Sequence, residues 1–168
     1  MPTARRSPTP GAGAATDPVA TGAAASAIEP ALGLLELDSI AAGIAAGDAM
    51  AKRAPIEVIR AGTVHPGRYL VLVGGDVADV EEALEAGREA AAPSIRDAVF
   101  LPNIHPGVVA GMRGVRREAT GEALGVIETE TVASTIRAAD AGLKGARVEL
   151  LELRLADEHA AVGIRGGP

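Results

Sequence analysis

The chain writes one stretch twice. Ala31 to Val58, ALGLLELDSIAAGIAAGDAMAKRAPIEV, returns 92 positions later as ALGVIETETVASTIRAADAGLKGARVEL, Ala123 to Leu150, without a gap. Of the 28 aligned columns 12 are identical, among them Leu32/Leu124, Gly33/Gly125, Glu36/Glu128, Ile44/Ile136, Asp48/Asp140, Lys52/Lys144 and Glu57/Glu149. Most other columns exchange like for like, as in Leu35/Ile127, Ile40/Val132 and Ile56/Val148. A period this long signals tandem copies of one small domain rather than a solenoid of short units. A length of 168 residues allows one ordinary domain or two small ones. The repeat decides for two.

Each copy carries the same local pattern of apolar strand, amphipathic helix and second apolar strand. In the first copy Leu32 to Leu37 reads as a strand, and Asp38 or Ser39 can cap the helix that follows. Ile40, Ile44 and Ala51 share one face of that helix and form its expected inner side. Pro55 stops it. Ile56 to Ala61 and Arg68 to Val73 are further strands around the turn-rich GTVHPG, Gly62 to Gly67. A second helix follows Asp76, with Asp79 and Glu82 at capping-box spacing and Val80, Leu84 and Ala91 pointing inward. Ala98 to Leu101 is the last strand. The predicted fold class is α/β of the α+β, sandwich-like kind, with tandem β-α-β-β-α-β, ferredoxin-like domains.

The expected boundaries are a disordered Ala/Pro/Gly-rich tail over 1–29, a first domain over 30–107, a linker over 108–122 and a second domain over 123–168. The tail has too little apolar surface to offset its ordering entropy. The second copy has strands at Val148 to Leu155 and His159 to Arg165 but no counterpart of the first copy's Asp76 to His105. It is expected to be incomplete and to leave apolar surface bare around Ile136, either because the chain is a shortened version of a longer protein or because another chain supplies the cover.

Composition removes several classes of function. A net charge of −6, with no basic stripe and only Tyr69 and Phe100 as aromatics, argues against a nucleic-acid binder. Without cysteine there is no disulfide, thiolate nucleophile or cysteine-ligated cluster, which fits a cytosolic setting. No apolar run is long enough to span a bilayer. Glu36 and Glu128 lack a nucleophile or base partner, and strand-end glutamates more often accept backbone hydrogen bonds. His65, His105 and His159 are too scattered for a metal site, and Gly74-Gly75-Asp76 lacks the Lys and Ser/Thr of a phosphate loop. No enzyme and no cofactor emerge.

The opening strand with Gly and Glu, the D-A-x-x-K helix and the G-D-V helix start occur in order. Together they resemble the bacterial microcompartment (BMC) shell domain. Two fused copies, each beginning with the ALG strand, resemble the tandem-domain, trimer-forming class in its unpermuted form. The resemblance implies a structural shell protein in the cytoplasm whose homotrimers form pseudohexameric tiles, meet other shell proteins and pass small metabolites through a central pore. It also implies roles for particular residues. Val64, His65, Pro66 and Gly67 match the pore-lining loop, and Ala156, Asp157 and Glu158 take its place in the second copy. Lys52 and Lys144 match the tile-edge lysine. Asn103, in Pro102-Asn103-Ile104-His105, stands in an edge motif that often reads R-P-H, so the edge arginine is missing. The iron–sulfur cluster of some tandem members has no cysteine ligands here. A trimeric ligand-binding or regulatory module of ferredoxin-like type is the alternative.

Overall fold

The computed structural model describes residues 30–65, 67–118, 123–155 and 160–166. The expected tail lies outside them, as do residues 119–122. In the first copy β1 (Ala31–Leu37), β2 (Glu57–Val64), β3 (Arg68–Gly75) and β4 (Ile95–Leu101) form an antiparallel sheet in the order β2-β3-β1-β4. The helices α1 (Ile40–Arg53) and α2 (Val77–Ala91) cover one face of it. In the second copy β5 (Ala123–Thr129), β7 (Ala160–Gly166) and β6 (Val148–Arg154) form an antiparallel sheet in that order, with one helix, α4 (Val132–Gly145). Among the described residues the result is an α+β fold with two sheets and four α-helices. Among the described residues the second copy has no counterpart of α2 or β4.

Alternation along β1 divides the first sheet's contacts between two cores. Leu35 and Leu37 point to the face under α1 and α2, and pack with Val71, Val73, Met50, Val80 and Leu84. Leu32 and Leu34 point to the opposite face, and pack with Leu70, Leu72 and Val99. That second face is not left to water. Val132, Ala133, Ile136 and Ala139 of α4 close over it, together with Leu150, Leu153 and Val162 of the second sheet. β1 is therefore buried along its whole length, as a strand with helices on both sides must be.

The structure corrects four expectations. Ile136 is fully buried, because the cover for its helix face comes from the other copy. The inner face of α1 is Gly43, Ala46 and Met50, while Ile40 and Ile44 are 44% and 58% exposed. Close packing selects that small-residue face: a Cβ at Gly43 would stand 2.3 Å from the Tyr69 ring. In the same way, a Cβ on Gly87 of α2 would stand 2.7 Å from Leu35 and 2.8 Å from Met50. The N-cap of α2 is Asp76, upstream of the expected capping box and without a side-chain cap bond, whereas α1 is capped by Ser39, one of the two residues expected there. Finally, the stretch read as a linker opens with a helix, α3 (Pro106–Met112), whose Val108 and Gly111 pack toward Leu150 and Leu153 of β6.

Candidate functional site

The chemistry of this chain gathers where α4 of the second copy meets β1 and β4 of the first. Glu36 on β1 is completely buried, which requires its charge to be fully engaged. Its Oε2 accepts from the Val132 N–H at 2.8 Å, and its Oε1 accepts from Arg68 Nη1 at 3.0 Å. The same Arg68 nitrogen donates to the Glu130 carbonyl at 3.0 Å. The first turn of a helix has unpaired N–H groups and a partial positive charge, so a carboxylate there is stabilising. Glu36 supplies that carboxylate from the other copy.

Directly across the β1–β4 pairing from Glu36 stands Asp97, beside the register shift between Glu36 and Leu37. Its carboxylate accepts from Thr131 Oγ1 at 2.5 Å, Ser134 Oγ at 3.0 Å and the Ala98 N–H at 2.7 Å, with Arg137 at 3.7 Å. Two neighbouring carboxylates would repel one another on a bare strand. Here both face the N-terminus of α4. Further along, Asp140 Oδ1 accepts from the His105 N–H at 2.7 Å, and Asp140 Oδ2 pairs with Lys144 at 2.6 Å. The Lys144 ammonium also donates to the Asn103 carbonyl.

Burial by itself would raise the Asp97 pKa, but the bonds from Thr131, Ala98 and Ser134 and the Arg137 charge outweigh it. The group is held below the ordinary aspartate range. A lowered folded-state pKa adds stability that is present above the unfolded value, about 3.9, and is lost as pH falls through the folded value. Thermal melts of wild type and Asp97→Asn are thus expected to differ most above about pH 4 and to converge in stronger acid. A constant difference down to pH 2 would assign the Asp97 contribution to something other than its charge.

The structure treats the remaining site residues unevenly. Val64 is buried at the end of β2, His65 is exposed in the following turn, and Gly67 takes φ 80, a left-handed value that favours glycine. Pro66, Ala156, Asp157 and Glu158 lie outside the described residues. Lys144 and Asn103 are brought together within the chain, across the junction. Lys52 pairs with Asp48 at 2.6 Å and remains 74% exposed. Sequence reasoning missed Asp97, Thr131 and Ser134, which have no carboxylate pattern to betray them. Glu36 was signalled by its identity with Glu128. Among the described residues no cluster of His, Cys, Asp or Glu is arranged to hold a metal ion, and no helix is long and apolar enough to cross a membrane.

The BMC domain family matches residues 31–104 and again 123–167. The chain belongs to the BMC domain family. Bacterial microcompartment shell protein PduT of Citrobacter freundii is 40% identical over 136 residues, covering 81% of this chain and 71% of that protein. Bacterial microcompartment shell protein EutK of Salmonella typhimurium is 44% identical over 61 residues, 36% of this chain and 37% of its own. A crystal structure of a microcompartments protein from Desulfitobacterium hafniense DCB superposes with a TM-score of 0.70 at 41% identity, covering 81% of this chain and 77% of that one. This BMC protein is accordingly a shell protein with two BMC domains in one chain. The junction described above is the seam between them.

Proposed function

We propose that three copies of this chain close into a pseudohexameric tile of a microcompartment shell, with a central pore for small metabolites. One observation carries the reading. The seam inside the chain has two sides, a helix face and a sheet face, and the repeat supplies a second specimen of each that none of the described residues covers. Val132 and Ile136 of α4 are buried, whereas their counterparts Ile40 and Ile44 of α1 are 44% and 58% exposed. Leu32 and Leu34 of β1 are buried, whereas their counterparts Leu124 and Val126 of β5 are 62% and 63% exposed. Exposed apolar residues grouped in this way mark an interface. Joining the free helix face of one chain to the free sheet face of the next repeats the internal seam. Such a head-to-tail contact closes into a ring when its rotation closes. Three chains give six domains.

In that ring Val64, His65, Pro66 and Gly67 line the pore in alternation with Ala156, Asp157 and Glu158. The acidic pair favours cations in a narrow opening. Lys52, Lys144 and Asn103 lie toward the rim, where tiles and other shell proteins meet. The role is structural rather than catalytic, and the setting is cytoplasmic. The alternative, a ligand-binding module, has one feature in its favour: a trough of about 470 Å³ over the second sheet, lined by Leu124, Val126, Leu151 and Gly163 with Arg116, Arg117 and Arg154 at its margin. Its apolar floor includes the sheet face left over by the repeat, so the tile reading accounts for it as well. Sedimentation and electron microscopy separate the two. Trimers that associate into sheets or tubes support the tile, and a monomer at all concentrations overturns it.

A further inference from the structure

The seam inside the chain and the contact between chains are built from the same repeat positions but not from the same polar groups. We infer that Glu128 caps helix α1 of a neighbouring protomer, as Glu36 caps α4 within the chain, and that this single carboxylate is the main polar tie of the between-chain contact. The inference rests on the trimeric reading.

The template is the bond from the Val132 N–H to Glu36. Moving by one repeat turns Glu36 into Glu128 and Val132 into Ile40. Glu128 is exposed, on the same alternating side of β5 as Leu124 and Val126. The first turn of α1 contains no acidic residue, and its cap, Ser39, is occupied with the Ala42 N–H. The neighbouring Ile40 N–H therefore looks outward for an acceptor, as the Val132 N–H does when it meets Glu36. Burial of Ile40 and Ile44 against Leu124 and Val126 brings the Glu128 carboxylate to that N-terminus, where the helix dipole favours it.

Several of the other polar ties lose a side chain in the shift. Arg68, which holds Glu36 and reaches Glu130, maps to Ala160. Ser134 and Arg137, which bind Asp97, map to Ala42 and Ala45. The seam within a chain is clamped by several charged groups. The contact between chains keeps an apolar face and Glu128, with Ser39, Asp48 and Lys52 as the polar groups left on the helix side. Assembly consequently comes apart between chains and not within them.

Sedimentation equilibrium of the full chain over a range of concentrations tests this, with wild type, Glu128→Ala, Glu128→Gln, Ile40→Pro and the double variant Glu128→Ala/Ile40→Pro. Proline at the first helical position removes the N–H without opposing the helix. Glu128→Ala is expected to raise the concentration at which trimers half-dissociate by about tenfold or more, the loss of one charge-assisted bond at every between-chain contact. Gln, which keeps an acceptor, recovers part of the loss. In the Ile40→Pro background Glu128→Ala adds nothing, since its donor is gone. An unchanged midpoint for Glu128→Ala in a trimeric wild type overturns the capping role and leaves the trimer standing. Equal losses from Glu128→Ala with and without Ile40→Pro overturn it too, by placing the carboxylate's partner elsewhere. A wild type that is monomeric throughout overturns the trimer and this inference with it.

Discussion

Ile136→Ala is expected to destabilise the chain by about 2–5 kcal/mol, the range for truncating a large aliphatic side chain in a closed core. Ile136 has no exposed surface and sits in one apolar cluster with Leu32, Leu34 and Val99 of the first copy and Leu150 and Val162 of the second. These neighbours come from strands fixed by their own sheets, so the space left behind closes poorly. Urea unfolding followed by circular dichroism reads the effect as a lower midpoint. Because the cluster belongs to both copies, the two copies are expected to unfold in one transition, and the variant to lower that one transition. Two separated transitions in wild type, with only the later or earlier one moved by Ile136→Ala, would mean that the shared cluster does not couple them.

Ile44→Asp, at the identical repeat position on α1, is expected to do the opposite. Ile44 is 58% exposed within the chain, so substitution should alter the unfolding free energy of a monomer by only about 0.5 kcal/mol. In the proposed ring the same side chain would be buried against Leu124 and Val126 of the neighbour. A carboxylate placed there lacks a partner, and central interface positions of this kind are worth about 2 kcal/mol or more each. The ring contains that contact at every between-chain junction. Trimers should be absent from Ile44→Asp at concentrations where wild type is fully assembled, with an unchanged far-ultraviolet spectrum. A trimeric Ile44→Asp protein would move the interface away from α1.

The contrast between these two isoleucines also marks how far the sequence could be read. The repeat, the order of strands and helices and the glutamates at the ends of β1 and β5 were legible, because identity and alternation survive divergence. The inner face of α1 was not. Periodicity reveals that a helix has an apolar side, yet it does not say which neighbour that side meets, and here Gly43 and Tyr69 turn the larger residues outward. The expected bare surface around Ile136 arose from counting cover only within one copy. Asp97 was invisible for a different reason: its repeat partner would fall beyond the last residue, so no identity draws attention to it. The helix α3 was hidden by the Pro106-Gly107 start of a seven-residue segment, which reads as a turn. Of the pore and edge residues, only Val64, His65, Gly67, Lys52, Lys144 and Asn103 fall among those described, and their roles in assembly rest on the proposed tile.

The seam that joins the two copies has a thermodynamic consequence for any ring built from them. Six separate domains would give up five sets of translational and rotational freedom to become one body, whereas three fused pairs give up two. Each set is worth about 4–15 kcal/mol at a 1 M standard state. The covalent link between the copies and the buried Glu36 thus hold half of the seams closed before assembly begins, as an intramolecular contact with an effective concentration on the order of mM. The contacts that remain between chains can then be individually weak and still complete a ring, which leaves them free to open and correct errors while a shell is growing.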